Sequence, residues 1–226
     1  MNNLISIKKL NKSYNNAGSS INVLKDIDLE IKIGDFLSIV GPSGSGKTTL
    51  LNIIGTLDNF QEGIFFFDGI NILKLNENQK NVLRNTNIGF IHQFHYLIHE
   101  LSSIENVILP LLIAKKNYKK SIIDSTLILE EFGLKDKINV KTKFLSGGEQ
   151  QRVSIARAMV NKPKLIIADE MTGNLDEKNS ENVFNFFIEK AKSVNQAVIF
   201  VTHNLKLASL AKSKYKLENG FLNEYN

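Results

Sequence analysis

The stretch Gly41–Thr49, GPSGSGKTT, restricts what this chain can be more than any other. Just before it, Phe36-Leu37-Ser38-Ile39-Val40 is a short apolar run that reads as a buried strand, and Leu50–Ile54 continues after it as a helix. A strand, a glycine-rich loop and a helix, in that order, are the context a phosphate-binding loop needs. The spacing Gly41-x4-Gly46-Lys47-Thr48 fits the Walker A pattern. Glycine removes the Cβ, so consecutive backbone N–H groups can turn inward around phosphate oxygens. The helix that starts here adds its positive end. Gly41, Pro42, Ser43, Gly44, Ser45, Gly46, Lys47, Thr48 and Thr49 are therefore the expected nucleotide cradle. Lys47 would reach the β- and γ-phosphates, and the Thr48 hydroxyl would face Mg²⁺.

Composition narrows the setting. The chain has 226 residues and 42% apolar content, enough for one compact unit with a real core. It has no cysteine, which excludes disulfides and thiolate metal sites and suits a reducing compartment. The longest apolar run, 107–114, is broken by Pro110 and is too short for a membrane span. The start, MNNLISIKK, lacks a signal-peptide core. A soluble, cytoplasmic protein is expected, one able to sit on a membrane partner. The net charge of +5 rests on 25 lysines against three arginines, Arg84, Arg152 and Arg157. Base readout favours arginine forks, so no nucleic-acid partner is expected.

Along the chain, strands are expected at 4–9, 27–33, 36–40, 88–91, 165–168, 197–202 and 214–217, with a last short strand after Gly220. Residues 63–73 read as a hairpin about Asp68-Gly69, with the Phe65–Phe67 run as strand and core. Helices are expected at 77–85, 120–132, 147–161, 176–193 and 204–210. Ser103 is expected to cap a helical segment, with a kink or break at Pro110. Lys115–Lys120 reads as a solvated loop between helices. Alternating strands and helices imply an α/β fold with a mostly parallel sheet, interrupted by a helical insertion.

A second element points the same way. Leu165–Ala168 is an apolar strand that ends in Asp169 and Glu170. Such a strand delivers its last residues to the ligand-binding edge of a sheet. Asp169 there can hold Mg²⁺, and Glu170 can polarise a water.

The run Leu145-Ser146-Gly147-Gly148-Glu149-Gln150 opens the helix after the insertion and resembles the LSGGQ signature of the ATP-binding cassette family. The resemblance covers nearly the whole chain. It implies a RecA-like P-loop NTPase core (1–92 and 162–226) with an antiparallel β subdomain and a helical subdomain at 93–161. It also implies that Ser146, Gly147, Gly148 and Glu149 face the γ-phosphate of ATP on a second copy, in a head-to-tail homodimer. By the same resemblance Tyr14 stacks on adenine, Gln93 senses Mg²⁺ and the partner, Asp176 lies at the dimer seam, and His203 contacts the γ-phosphate. Glu170, His203 and Gln93 form the expected catalytic group, and Thr48, Gln93 and Asp169 the metal group. Within the family, Gly89–Ile113 is similar to ATPase subunits that serve lipoprotein release, macrolide export or cell-division signalling, and most to those of lipoprotein release. That implies two integral membrane subunits as partners, a peripheral place on the cytoplasmic face of the inner membrane, and ATP and Mg²⁺ as cofactors. Two positions depart from the family pattern: Met171 and His99 stand where proline is usual.

Overall fold

The computed structural model describes residues 3–16, 19–173 and 177–225. In chain order the elements are β1 (Ile5–Asn16), β2 (Ser19–Ile31), β3 (Phe36–Val40), α1 (Lys47–Ile54), β4 (Glu62–Phe67), β5 (Ile70–Asn71), α2 (Glu77–Asn87), β6 (Ile88–His92), α3 (Ser103–Ile113), α4 (Tyr118–Glu131), α5 (Gly147–Met159), β7 (Leu165–Asp169), α6 (Glu177–Ser193), β8 (Ala197–Val201), α7 (Leu205–Ala208), β9 (Ser213–Glu218) and β10 (Phe221–Tyr225). The chain divides into two compact units, 1–81 with 195–226, and 82–194.

The first unit holds an antiparallel sheet of order β2-β1-β4-β5. In β1, Ile5, Ile7 and Leu10 are fully buried. The spacing changes from two to three between Ile7 and Leu10 because the register against β2 shifts there. Two more shifts follow, between Leu10 and Lys12 and between Lys12 and Ser13, and within this irregular stretch Lys12 is buried. The same unit carries a second group of strands in which β3 pairs in parallel with both β8 and β9, and β10 returns antiparallel to β9. Every residue of β3 and β8 is buried, which is why both read as unbroken apolar runs.

In the second unit β6 and β7 run parallel, in register from Ile88 against Leu165 to His92 against Asp169. Helix α3 packs on α4 and α5, and α5 packs on β6.

Four expectations are corrected. The cap of α3 is Ser102, not Ser103: Ser102 accepts from the Glu105 N–H, and the Glu105 carboxylate accepts from the Ser102 N–H at 2.7 Å. Ser103 is one position inside the helix and buried. The helix also runs unbroken through Pro110. A proline costs one helical N–H bond and crowds the preceding turn. Here the buried Val107 and Leu111 hold both sides of it, and the Pro110 carbonyl accepts from Asn85 and Asn161 side chains at 3.1 and 3.2 Å. The second arm of the hairpin is only Ile70–Asn71, because the Asn71 side chain caps a 3₁₀ turn at Ile72–Lys74. Finally, the lysine-rich loop ends early: Asn117 caps α4, so Lys119 and Lys120 lie in its exposed first turn.

Candidate functional site

Helix α1 begins where the glycine-rich loop ends. Its N-cap, Gly46, has φ 101° and makes no side-chain cap, so the first N–H groups of the helix meet no side chain of the cap residue. A Cβ at Gly46 would lie 2.8 Å from Val23 Cγ1, so close packing and left-handed backbone both demand glycine there. At Gly41 the demand is spatial, since a Cβ would run into the Leu217 carbonyl of β9.

Lys47 is buried, and its Nζ donates to the carbonyls of Gly41 at 3.0 Å and Pro42 at 2.8 Å. The ammonium is thus folded back across the loop it belongs to. Ser45 Oγ is buried with no hydrogen-bond partner among the described residues, an arrangement that a phosphate oxygen would satisfy. Pro42, Ser43 and Gly44 are exposed and line a cavity of ≈ 340 Å³ with Ser45, Val23 and Gly220. Thr48 is exposed, and Thr49 is half-buried.

Tyr14, near the end of β1, is 43% exposed and donates to Asp58 Oδ2 at 2.6 Å. His203 follows β8 and is exposed. Its loop is stitched on the C-terminal side: the Asn204 N–H donates to Thr202 Oγ1 at 3.0 Å, and the Asn204 side chain caps α7. These residues all lie in the first unit.

In the second unit Gln93 follows β6, and Asp169 and Glu170 end β7. Glu170 has φ 47°, a left-handed conformation that costs a non-glycine residue about 1–2 kcal/mol. Strain of that kind concentrates at functional sites. The Gly173 N–H closes the turn onto the Glu170 carbonyl at 2.9 Å. Met171, where proline was expected, is buried, so packing anchors the turn in place of a ring. Gln93 Nε2 lies 3.0 Å from where a Cβ of Gly173 would be, which brings the glutamine against the segment that leaves Glu170. Asp176, with Asn174 and Leu175, lies outside the described residues.

Ser146 is the N-cap of α5 and closes a capping box with Glu149, whose Oε2 accepts from the Ser146 N–H at 2.8 Å and hydroxyl at 2.9 Å. Those bonds, with Lys137 at 3.4 Å from Oε1, hold the Glu149 carboxyl below the usual carboxylate range. Ser146 and Gly147 are exposed, and Gly148 is half-buried with open space around it.

In the loop after Gln93, Phe94, Tyr96 and Ile98 are 65%, 67% and 46% exposed, while Leu97 is buried. Residues the sequence did not single out brace it. Arg157 of α5 donates to the carbonyls of Tyr96 at 2.7 Å and His95 at 2.8 Å. The fully buried Asn106 of α3 accepts from the Ile98 N–H at 2.8 Å and donates to the carbonyls of Ile98 and Ser102. Nothing in local pattern marks these two residues. The Ser102-x-x-Glu105 spacing is the signal that would have found the cap in place of Ser103. A larger cavity, ≈ 450 Å³, lies in this unit between Phe132, Arg152 and Phe186, and none of the expected site residues lines it.

Residues 24–173 match the ABC transporter family. The chain belongs to that family, and it carries the family's ATPase cassette. Over 223 residues it is 45% identical to the lipoprotein-releasing system ATP-binding protein LolD of Rickettsia bellii, covering 98% of each chain. It is 44% identical over 219 residues to the LolD protein of Legionella pneumophila, covering 97% of this chain and 96% of that one. Its backbone matches a dimeric, post-hydrolysis structure of the ATP-binding cassette MJ0796 bound to ADP and Pi, with TM-score 0.89, 36% identity and 98% coverage of both chains. The ABC ATPase fold expected from the motifs is thereby established.

Thr48 in the first unit, and Gln93 and Asp169 in the second, each carry a donor of the kind Mg²⁺ takes. A hydroxyl, an amide and a single carboxylate are few, hard oxygen ligands. They suit Mg²⁺, which keeps waters and substrate phosphates in its shell, and would make a poor all-protein cage.

Proposed function

We propose that this ABC cassette is the ATP-hydrolysing subunit of a complex that releases lipoproteins from the inner membrane toward the outer membrane. The observation that carries the reading is near-full-length identity of 41–45% to lipoprotein-releasing ATP-binding proteins. Two copies close head to tail around two ATP molecules on the cytoplasmic face of the membrane, and two integral membrane subunits receive the motion. Among the described residues no helix is long and apolar enough to cross a membrane, so any spanning helix of the complex is looked for in those partners.

ATP is seated by the Gly41–Thr49 loop. Lys47 exchanges the Gly41 and Pro42 carbonyls for the β- and γ-phosphates, and Tyr14 stacks on the adenine. Thr48, Gln93 and Asp169 would hold Mg²⁺, whose charge would offset that of the phosphates. A water attacks the γ-phosphorus while Glu170 accepts its proton, and the bond to the β–γ bridging oxygen breaks to leave ADP and phosphate. His203 contacts the γ-phosphate. Ser146, Gly147, Gly148 and Glu149 of the second copy close over it, with Asp176 at the seam. A signature at a helix N-terminus has an anionic target only while the γ-phosphate is there.

The test is purification of the tagged chain in mild detergent from its own cells. Two integral membrane proteins are expected to come with it, and the reconstituted complex should hydrolyse ATP faster when given an acylated lipoprotein. Stimulation by a macrolide and not by lipoprotein overturns the reading.

A further inference from the structure

Tyr14 does not stand alone at the end of its strand. Lys12, two residues earlier on the same face of β1, is only 6% exposed. Its Nζ donates to Asp58 Oδ1 at 2.8 Å and to the Asn59 carbonyl at 2.6 Å, and it lies 4.6 Å from the centroid of the Tyr14 ring. Asp58 follows α1, and its other carboxylate oxygen accepts the Tyr14 hydroxyl at 2.6 Å. The Asn59 N–H donates to Oδ1 at 2.7 Å and fixes the carboxylate from a third side. The Thr49 hydroxyl, inside the phosphate loop, lies near enough to act on the Tyr14 hydroxyl.

A tyrosine on a strand would ordinarily turn about two side-chain bonds. Here both freedoms are removed before any ligand arrives. The charge-assisted bond to Asp58 pins the hydroxyl. The Lys12 cation sits over the ring and is itself tied to the same carboxylate. Yet 43% of Tyr14 remains exposed, so ring surface is still open to solvent. Asp58 follows the helix that the phosphate loop opens, so its bond to Tyr14 ties the ring to the same helix. Such a site suits a ligand with a flat aromatic base at one end and a phosphate chain at the other.

We propose that Lys12 and Asp58 are positioning residues that lock the Tyr14 ring for stacking on the purine of a nucleotide whose phosphates occupy the Gly41–Thr49 loop. This rests on the reading of Tyr14 as the base-stacking residue and adds what holds it. Ordering the ring in advance spares part of the cost of immobilising it on binding, worth roughly 2- to 13-fold in affinity.

Calorimetry on the intact chain with two probes tests this. ADP carries base and phosphates, whereas inorganic tripolyphosphate carries phosphates alone. Asp58→Ala should weaken ADP roughly 2- to 13-fold and leave tripolyphosphate unchanged. Asp58→Asn keeps an acceptor for the hydroxyl and should recover part of the loss. In turnover, KM for ATP should rise while kcat holds. Lys12→Met should give the same pattern and serves if Asp58→Ala fails to fold. Equal weakening of both probes would mean that Asp58 supports the loop as a whole, and no weakening of ADP would mean that the ring needs no lock. Either outcome overturns the proposal. Tyr14→Ala separates it from its premise: unchanged ADP binding there removes the stacking reading itself. Weakened binding there, with Asp58→Ala unaffected, removes only the lock.

Discussion

Lys47 is held by two carbonyls of its own loop, so its charge is already at the mouth of the cradle before phosphate arrives. Lys47→Ala removes the chief cation there, and Mg-ATP binding should be lost in calorimetry; tight binding by that variant would contradict the site. Glu170 is held differently, by a strained turn at φ 47° closed by Gly173 and anchored by the buried Met171. Glu170→Gln keeps the shape and removes the base. ATP should still bind, and turnover should fall roughly 10²–10⁴-fold, the usual contribution of a general base. Turnover within a few-fold of the parent would give the role to another group. The Walker A lysine was plain from spacing. The strain at Glu170 was not, because φ depends on what packs around the turn.

At the scale of elements, the loop between β6 and α3 combines exposed apolar side chains with a backbone tied down from two helices. Asn106 of α3 and Arg157 of α5 between them engage the carbonyls of His95, Tyr96 and Ile98. A loop built to present Phe94, Tyr96 and Ile98 rigidly suits docking of a membrane subunit, since a bistable interface transmits motion only through stiff parts. Tyr96→Asp places a charge on that surface, at a residue 67% exposed. Basal ATPase of the isolated chain should stay near normal, while assembly with the membrane subunits, or stimulation by them, is lost. Normal assembly and transport by a variant that folds and hydrolyses ATP would put the coupling surface elsewhere. Apolar composition made this loop visible in the sequence. Its bracing was invisible, because Asn106 and Arg157 act across tertiary distance.

For the whole molecule, the matched cassette structure is dimeric, and the signature of this chain is capped and exposed. With Glu170→Gln slowing hydrolysis, ATP and not ADP should drive the chain into a dimer on gel filtration. A γ-phosphate adds differential affinity for the closed state, and ADP lacks it. A monomeric profile with ATP at high protein concentration would weigh against closure of the isolated subunit.

The fold class was legible because β3 and β8 are covered on both faces and therefore read as apolar runs, and because the phosphate loop has fixed spacing between a strand and a helix. The Asp68-Gly69 turn was legible for a local reason, since left-handed backbone selects its residues. Tertiary structure alone decided three other things. Helix α3 continues through Pro110 because the buried Val107 and Leu111 and two asparagine side chains hold it there. Lys12 is buried where the register of β1 against β2 shifts on both sides of it, and such shifts depend on the neighbouring strand. Asp58 reaches Tyr14 across 44 residues of sequence. Local spacing records the contacts a segment makes with itself, and these three depend on what the rest of the chain brings to it.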